Sequence, residues 1–276
     1  MELTADEVDR FWRDGYLVGP VVLDAAAVAS LRAAVERVHG GDLEGDGEYP
    51  LFGRVLGDPG TGAARTVMYG WRVNDAVREL VCGPRLGALA AALLRTPRVR
   101  LWQDQVISKP PAAPDRLEGT IGFHQDYPYW QDVSTDAMVT ANIALQDTDD
   151  RNGALHVLSG SHRLGIVDWA GSFFDGDLDE VRARLPEGRR ADLEEVTLPL
   201  RAGQVSFHHS LTVHGSGPNR SDVPRMTIAP AYLPDGAVYR PSGGPPSPHS
   251  RFLGEPVAGT PYAGDAFPLV HDAAMV

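Results

Sequence analysis

The chain has 276 residues, of which 43% are hydrophobic and 22% charged, with a formal net charge of −12. That is enough apolar material for a sizeable core without cross-links, and the carboxylate excess argues against a nucleic-acid backbone as the main partner, because that demands clustered Lys and Arg. A single cysteine, Cys82, excludes an intrachain disulfide and a multi-cysteine zinc site.

The N-terminus, MELTADEVDRFWRDGY, is acidic and amphipathic and lacks the basic start and apolar stretch of a signal peptide. The spacing predicts a helix over 4–14, with Thr4 as N-cap, Asp6 and Glu7 in the first turn and Gly15 as the stop. YLVGPVVL then reads as extended chain, and Asp24 caps a second helix through about Val38. Residues 40–62, rich in Gly and Asp, read as loop. Helices follow at 73–81 and 85–95.

From Arg98 the texture changes to strand formers. RVRLWQDQVISK, TIGFHQDY, AMVTANIALQD, ALHVLSG, EEVTLPL, QVSFHHSL, VHGSG and RMTIAPAYLP are the strand candidates, with PPAAPDRLEG and turn signals such as RNG and RAG between them. Residues 168–195 are charged and mixed and suit a lid or insertion. The expected organisation is one domain, mainly β: a helical flank (about 1–97), a sandwich or barrel core (about 98–235) and a Pro/Gly-rich tail (236–276) wrapping the surface. No apolar run of about 18 residues offers a membrane span, and a cytoplasmic protein is expected.

The most informative segment is Gly122-Phe123-His124-Gln125-Asp126-Tyr127. On a strand, His124 and Asp126 would share a face, since side chains alternate with period two. His214, in SLTVHGSG, supplies a third donor after another strand-like run. Two histidines and a carboxylate on one side of a metal leave open coordination positions, the pattern of the facial triad of non-haem iron(II) oxygenases. By itself His-x-Asp is weak, because structural histidines beside surface carboxylates are common. His208 could share a face with His214, although core packing is its simpler role. Gly215-Ser-Gly217-Pro-Asn-Arg220 begins like a dinucleotide loop but lacks the third glycine and the βαβ context.

Further motifs surround this pattern: Lys109-Pro110-Pro111 upstream, the run NGALHVLSGSH from Asn152 to His162, His214-Gly-Ser216, and Arg225 eleven residues beyond His214. In this combination and order the chain resembles the phytanoyl-CoA dioxygenase family of iron(II)/2-oxoglutarate oxygenases over roughly residues 5–235. The resemblance implies a double-stranded β-helix (jelly-roll, cupin-like) core. It implies His124, Asp126 and His214 as iron ligands, Arg225 on the distal carboxylate of 2-oxoglutarate with Ser216 assisting, and O2 as oxidant. A planar guanidinium can grip that carboxylate with two parallel hydrogen bonds. Gln105 and Asn142 fall where the family touches co-substrate or substrate, and Asn142 stands where the family often carries Trp. Tyr127, Tyr129, Trp130 and Lys109 are candidates for the substrate pocket.

The implied reaction is hydroxylation of an unactivated C–H bond in a small molecule, coupled to conversion of 2-oxoglutarate to succinate and CO2. A secondary metabolite or an acyl- or amino-acid-like compound is the expected substrate class. Asp126 favours hydroxylation over halogenation, since halogenating relatives replace the carboxylate with a small residue. Two other readings are a cupin-like zinc or nickel isomerase or hydrolase and a non-catalytic binding domain. Neither nucleic acid nor membrane is expected as a partner, and the oligomeric state is left open between monomer and homodimer.

Overall fold

The computed structural model describes residues 2–44, 63–173, 177–189, 193–244 and 246–275. Most of the 40–62 loop, and parts of the 168–195 insertion, therefore lie outside the described residues.

The N-terminal helices start where local chemistry dictates. Helix α1 (Ala5–Asp14) opens on a capping box, in which Thr4 Oγ1 accepts from the Glu7 N–H at 3.2 Å and Glu7 Oε2 accepts from the Thr4 N–H at 2.8 Å. It ends at Gly15, whose φ of 82° suits glycine. A Cβ there would also lie 2.4 Å from His162 Nδ1 and 2.6 Å from Thr212 Oγ1. That close approach lets the Gly15 carbonyl accept from the Thr212 hydroxyl (2.7 Å) and the His209 N–H (2.9 Å). The helical flank is thereby tied to the turn just before His214. Strand β1 (Tyr16–Val21) leads to α2 (Ala25–Gly40), capped by Asp24 on the Ala27 N–H. Strand β2 (Arg65–Met68), α3 (Asp75–Val81) and α4 (Pro84–Leu94) complete the flank.

The remaining strands are β3 (Arg98–Lys109), β4 (Ile121–His124), β5 (Val139–Ala144), β6 (Leu155–Leu158), β7 (Glu195–Leu198), β8 (Gln204–His209), β9 (His214–Ser216), β10 (Arg225–Pro234) and β11 (Leu269–Asp272), with one short helix, α5 (Leu178–Arg184), before β7. They form two antiparallel sheets. The larger runs β1-β8-β5-β10-β3-β11, with β2 also paired to β3, and the smaller runs β4-β9-β6-β7. Residues from both line one cavity between them, and the jelly-roll expectation holds.

Alternation sorts the larger sheet. Val139, Ala141 and Ile143 of β5 and Val205 and Phe207 of β8 pack on a core shared with Leu31 and Val35 of α2 and Leu86, Leu89 and Leu93 of α4. Thr140, Asn142 and His208 face the cavity instead. On β3 the alternation is broken by a bulge. Ala231 pairs with Gln103 but Tyr232 pairs with Leu101, so Trp102 is the extra residue. The shift lets Val99 and Leu101 join the helix-side core while Gln103 and Gln105 face the cavity.

The tail departs from its expected surface course. Tyr262 and Phe267 are buried, Phe267 stacks on Trp102 at 5.3 Å, and β11 pairs with β3. Pro and Gly density marked irregular backbone there but concealed these aromatic anchors. No helix among the described residues is long and apolar enough to cross a membrane.

Candidate metal centre and its cavity

Strand β4 ends at His124, and Asp126 adopts φ −75°, ψ −44° at the start of a 3-10 turn over Tyr127–Tyr129. The strand alternation expected to place His124 and Asp126 on one face does not operate here. A turn does it: the N–H groups of Asp126 and Tyr127 both donate to the Ser210 carbonyl at 2.9 Å, folding the carboxylate back beside the imidazole. His214, the first residue of β9, pairs directly with His124 across the ladder. The three side chains converge, with one donor atom from each within 4.8 Å of the others. Asp126 Oδ1 lies 3.7 Å from both His124 Nε2 and His214 Nε2.

Each donor atom is oriented from behind. His124 Nδ1 meets the Gly122 carbonyl at 2.7 Å and His214 Nδ1 meets that of Thr212 at 2.9 Å. A carbonyl only accepts, so Nδ1 carries the proton and the Nε2 lone pair faces the shared point. Burial, with the neighbouring His208 and His124 rings, pushes His214 well below its ordinary range and keeps that lone pair free. Burial alone would raise Asp126, but His214, His124 and His208 hold its carboxyl well below the usual carboxylate range. Its outer oxygen, Oδ2, accepts from Thr140 Oγ1 at 2.7 Å and lies 3.3 Å from His208 Nε2. Two imidazole nitrogens and one carboxylate oxygen beside an open cavity make a donor set that fits ferrous iron.

Arg225 opens β10 and is buried. Its Nη1 donates to Thr227 Oγ1 (3.0 Å) and its Nη2 to Ser216 Oγ (3.3 Å), while its Nε has no partner among the described residues. Burial pushes its pKa down to about 10. Arg225, Ser216, Asn142 and Gln105 line the same inner cavity as His124, Asp126 and His214. Lys109, a substrate-pocket candidate in the sequence, lies behind Ser216. Its Nζ donates to Ser216 Oγ (2.5 Å), the Ser216 carbonyl (3.2 Å) and the Gly217 carbonyl (2.6 Å). Burial, aided by Arg225, pushes its pKa well below the usual lysine range.

An outer cavity of about 280 Å³ adjoins His124 and Asp126. Tyr129 and Trp130 line it, as does Gln105. Tyr127 does not: its hydroxyl donates to the Val133 carbonyl and its ring packs with Trp102 and Trp130. Sequence reasoning passed over Thr66, Gln103, Phe173 and His249, which also line this cavity, and Thr140. Phe173 sets its ring against His124 at 5.4 Å, and its N–H donates to the Tyr129 hydroxyl at 3.1 Å. Thr140 shares strand parity with Asn142, which was a usable signal; Thr66 and His249 offered none.

A family model described as phytanoyl-CoA dioxygenase (PhyH) matches residues 11–227. A probable alpha-ketoglutarate-dependent hypophosphite dioxygenase of Stutzerimonas stutzeri is 27% identical, covering 83% of this chain and 78% of the relative. Among solved structures, the epimerase SnoN in complex with Fe3+, alpha ketoglutarate and nogalamycin RO is 28% identical with a TM-score of 0.73, covering 96% of this chain and 98% of its own. The non-heme alpha ketoglutarate dependent carbocyclase SnoK from nogalamycin biosynthesis is 28% identical with a TM-score of 0.71, covering 97% and 96%.

Proposed function

The chain belongs to the phytanoyl-CoA dioxygenase family, and from that premise we propose that His124, Asp126 and His214 hold its iron and that Arg225, with Ser216, anchors 2-oxoglutarate. The enzyme is an iron- and 2-oxoglutarate-dependent dioxygenase that acts on a small molecule with O2. The observation that carries the residue assignments is one cavity joining three converging donors to a buried guanidinium. Among the described residues that guanidinium forms no ion pair, so a dicarboxylic acid seated there supplies the carboxylate it lacks.

Bound iron and 2-oxoglutarate supply the oxidising chemistry, with succinate and CO2 as co-products. The chain supplies position. Thr140 and His208 hold Asp126 Oδ2, leaving Oδ1 turned toward the point where the two histidine Nε2 atoms converge and where iron would be held. Lys109 fixes Ser216 from behind, which sets the floor under the distal carboxylate. Gln105 and Asn142 flank the co-substrate. Phe173, edge-on to His124, keeps water from the metal face open to substrate. Hydroxylation of a C–H bond is the expected outcome, and the epimerase and carbocyclase names of the two solved neighbours define the outcomes to be tested beside it. We place the protein in the cytoplasm, on its single cysteine.

The test is anaerobic titration of the iron(II)-loaded protein with 2-oxoglutarate, followed by visible absorption. An iron-dependent band is expected in the wild type and is lost in His124→Ala and Asp126→Ala. Absence of the band, together with no succinate under oxygen, would overturn the assignment.

A further inference from the structure

The outer cavity carries polar groups that the protein leaves without partners. Thr66 Oγ1 and Gln103 Oε1 are buried with no hydrogen bond among the described residues, each residue 2% exposed. The Gln105 carboxamide, half-buried, faces the same cavity. These groups lie on one surface. β2 pairs antiparallel with β3, with Thr66 opposite Ile107 and Met68 opposite Gln105. Thr66, Met68, Gln103 and Gln105 all face the cavity. Regular pairing keeps Gln103 in this row with Gln105, and the bulge at Trp102 turns Leu101 away from it. Buried polar groups are normally satisfied, and those that are not call for an explanation. A ligand bridging them is the simplest one.

The rest of the lining is apolar and aromatic: Met68, Tyr129, Trp130, Phe173 and Pro248 beside His249. No Lys or Arg lines it among the described residues. His249 adds no charge at neutral pH, because burial lowers its pKa to about 4. The buried cations, Arg225 and Lys109, sit at the inner cavity around Ser216. A carboxylate or phosphate in the outer cavity would lose part of its hydration and meet no Lys or Arg among the described residues. A flat apolar body would meet ring faces and edges.

We propose that the β2–β3 face and its aromatic walls select an uncharged, largely apolar, ring-bearing substrate whose hydroxyl group is held by Thr66, Gln103 and Gln105. This rests on the reading that the outer cavity is the substrate side of the iron and 2-oxoglutarate site.

Three probes on one skeleton test it: 2-naphthylmethanol, 2-naphthoate and 2-methylnaphthalene. Binding is measured by equilibrium dialysis to the iron(II) protein under argon, saturated with 2-oxoglutarate so that Arg225 is already occupied. The alcohol is expected to bind at least about tenfold more tightly than the carboxylate. It is also expected to bind about fivefold more tightly than the hydrocarbon, the size of one neutral hydrogen bond. Gln103→Leu removes the alcohol's advantage over the hydrocarbon without weakening the hydrocarbon, and Thr66→Val gives an independent reduction should the first variant fold poorly. Naphthoate binding as tightly as the alcohol, an alcohol-to-hydrocarbon ratio unmoved by both variants, or no binding by any of the three overturns the proposal. The 2-oxoglutarate absorption band is followed in the same samples. Its loss would sink the assignment of function while leaving the probe ranking to stand or fall separately.

Discussion

Arg225→Met separates an anchoring role from a structural one, because the two predict changes of opposite sign. Arg225 is 5% exposed, and burial is the only influence moving its pKa. In the free protein it therefore pays desolvation with no ion pair among the described residues to offset it. Replacing such a cation with an apolar side chain of similar length is neutral or stabilising, by about 1 kcal/mol, even though bonds to Thr227 and Ser216 are lost. With 2-oxoglutarate bound the balance reverses. Two charge-assisted hydrogen bonds to one carboxylate contribute about 1.5–3 kcal/mol each. A net loss of roughly 3 kcal/mol after desolvation weakens Kd by about two orders of magnitude. Anaerobic titration of the iron(II) protein gives Kd, and thermal unfolding with and without 2-oxoglutarate gives stability. Wild-type protein at a hundredfold excess of ligand over Kd gains about 2.7 kcal/mol, and the variant at the same concentration gains little. A Kd within threefold of wild type would refute the anchoring role. A large fall in the Tm of the free variant would show that Arg225 serves the fold instead.

Thr140→Val removes the hydroxyl that donates to Asp126 Oδ2 at 2.7 Å. Iron affinity should fall about tenfold or more with the fold intact, and Thr140→Ser should restore most of it; equal iron affinity in direct metal titration for wild type and the Val variant would remove Thr140 from the site. Glu195 gives a pH prediction away from the site. Burial alone would raise its pKa, but Arg182, at 2.6 and 2.7 Å, and then His156 hold it down to about 2. A depressed folded-state pKa contributes stability above the unfolded value of about 4.3, and that contribution is lost as pH falls toward about 2. Urea unfolding at pH 6 and pH 3 should show a smaller acid loss in Glu195→Gln than in wild type, and identical losses would count against the linkage.

Elements governed by near neighbours were legible in the sequence. Thr4 and Asp24 capped their helices, Gly15 stopped the first, and the strand segments from Arg98 onward fell where β-branched and aromatic residues cluster. The donor types were legible too, as His-x-Asp and a later histidine trailed by an arginine. Their meeting was legible only through the family resemblance, because it depends on pairings between distant segments. His124 and Asp126 come together through a turn fastened to the Ser210 carbonyl, a partner that no local pattern names. Lys109 and Tyr127 look available in sequence, yet the fold spends one behind Ser216 and the other in the aromatic core.

By itself, then, the amino-acid order determined the helices with their caps, the strand-rich core and the chemical identity of the donors, because these rest on contacts within a few residues. Only the tertiary structure decided which groups share a cavity. The bulge at Trp102 sets Leu101 and Gln103 on opposite faces, and the ladder between β4 and β9 sets His214 against His124. A strand shows side chains alternating, but its register against a partner selects the face each one meets.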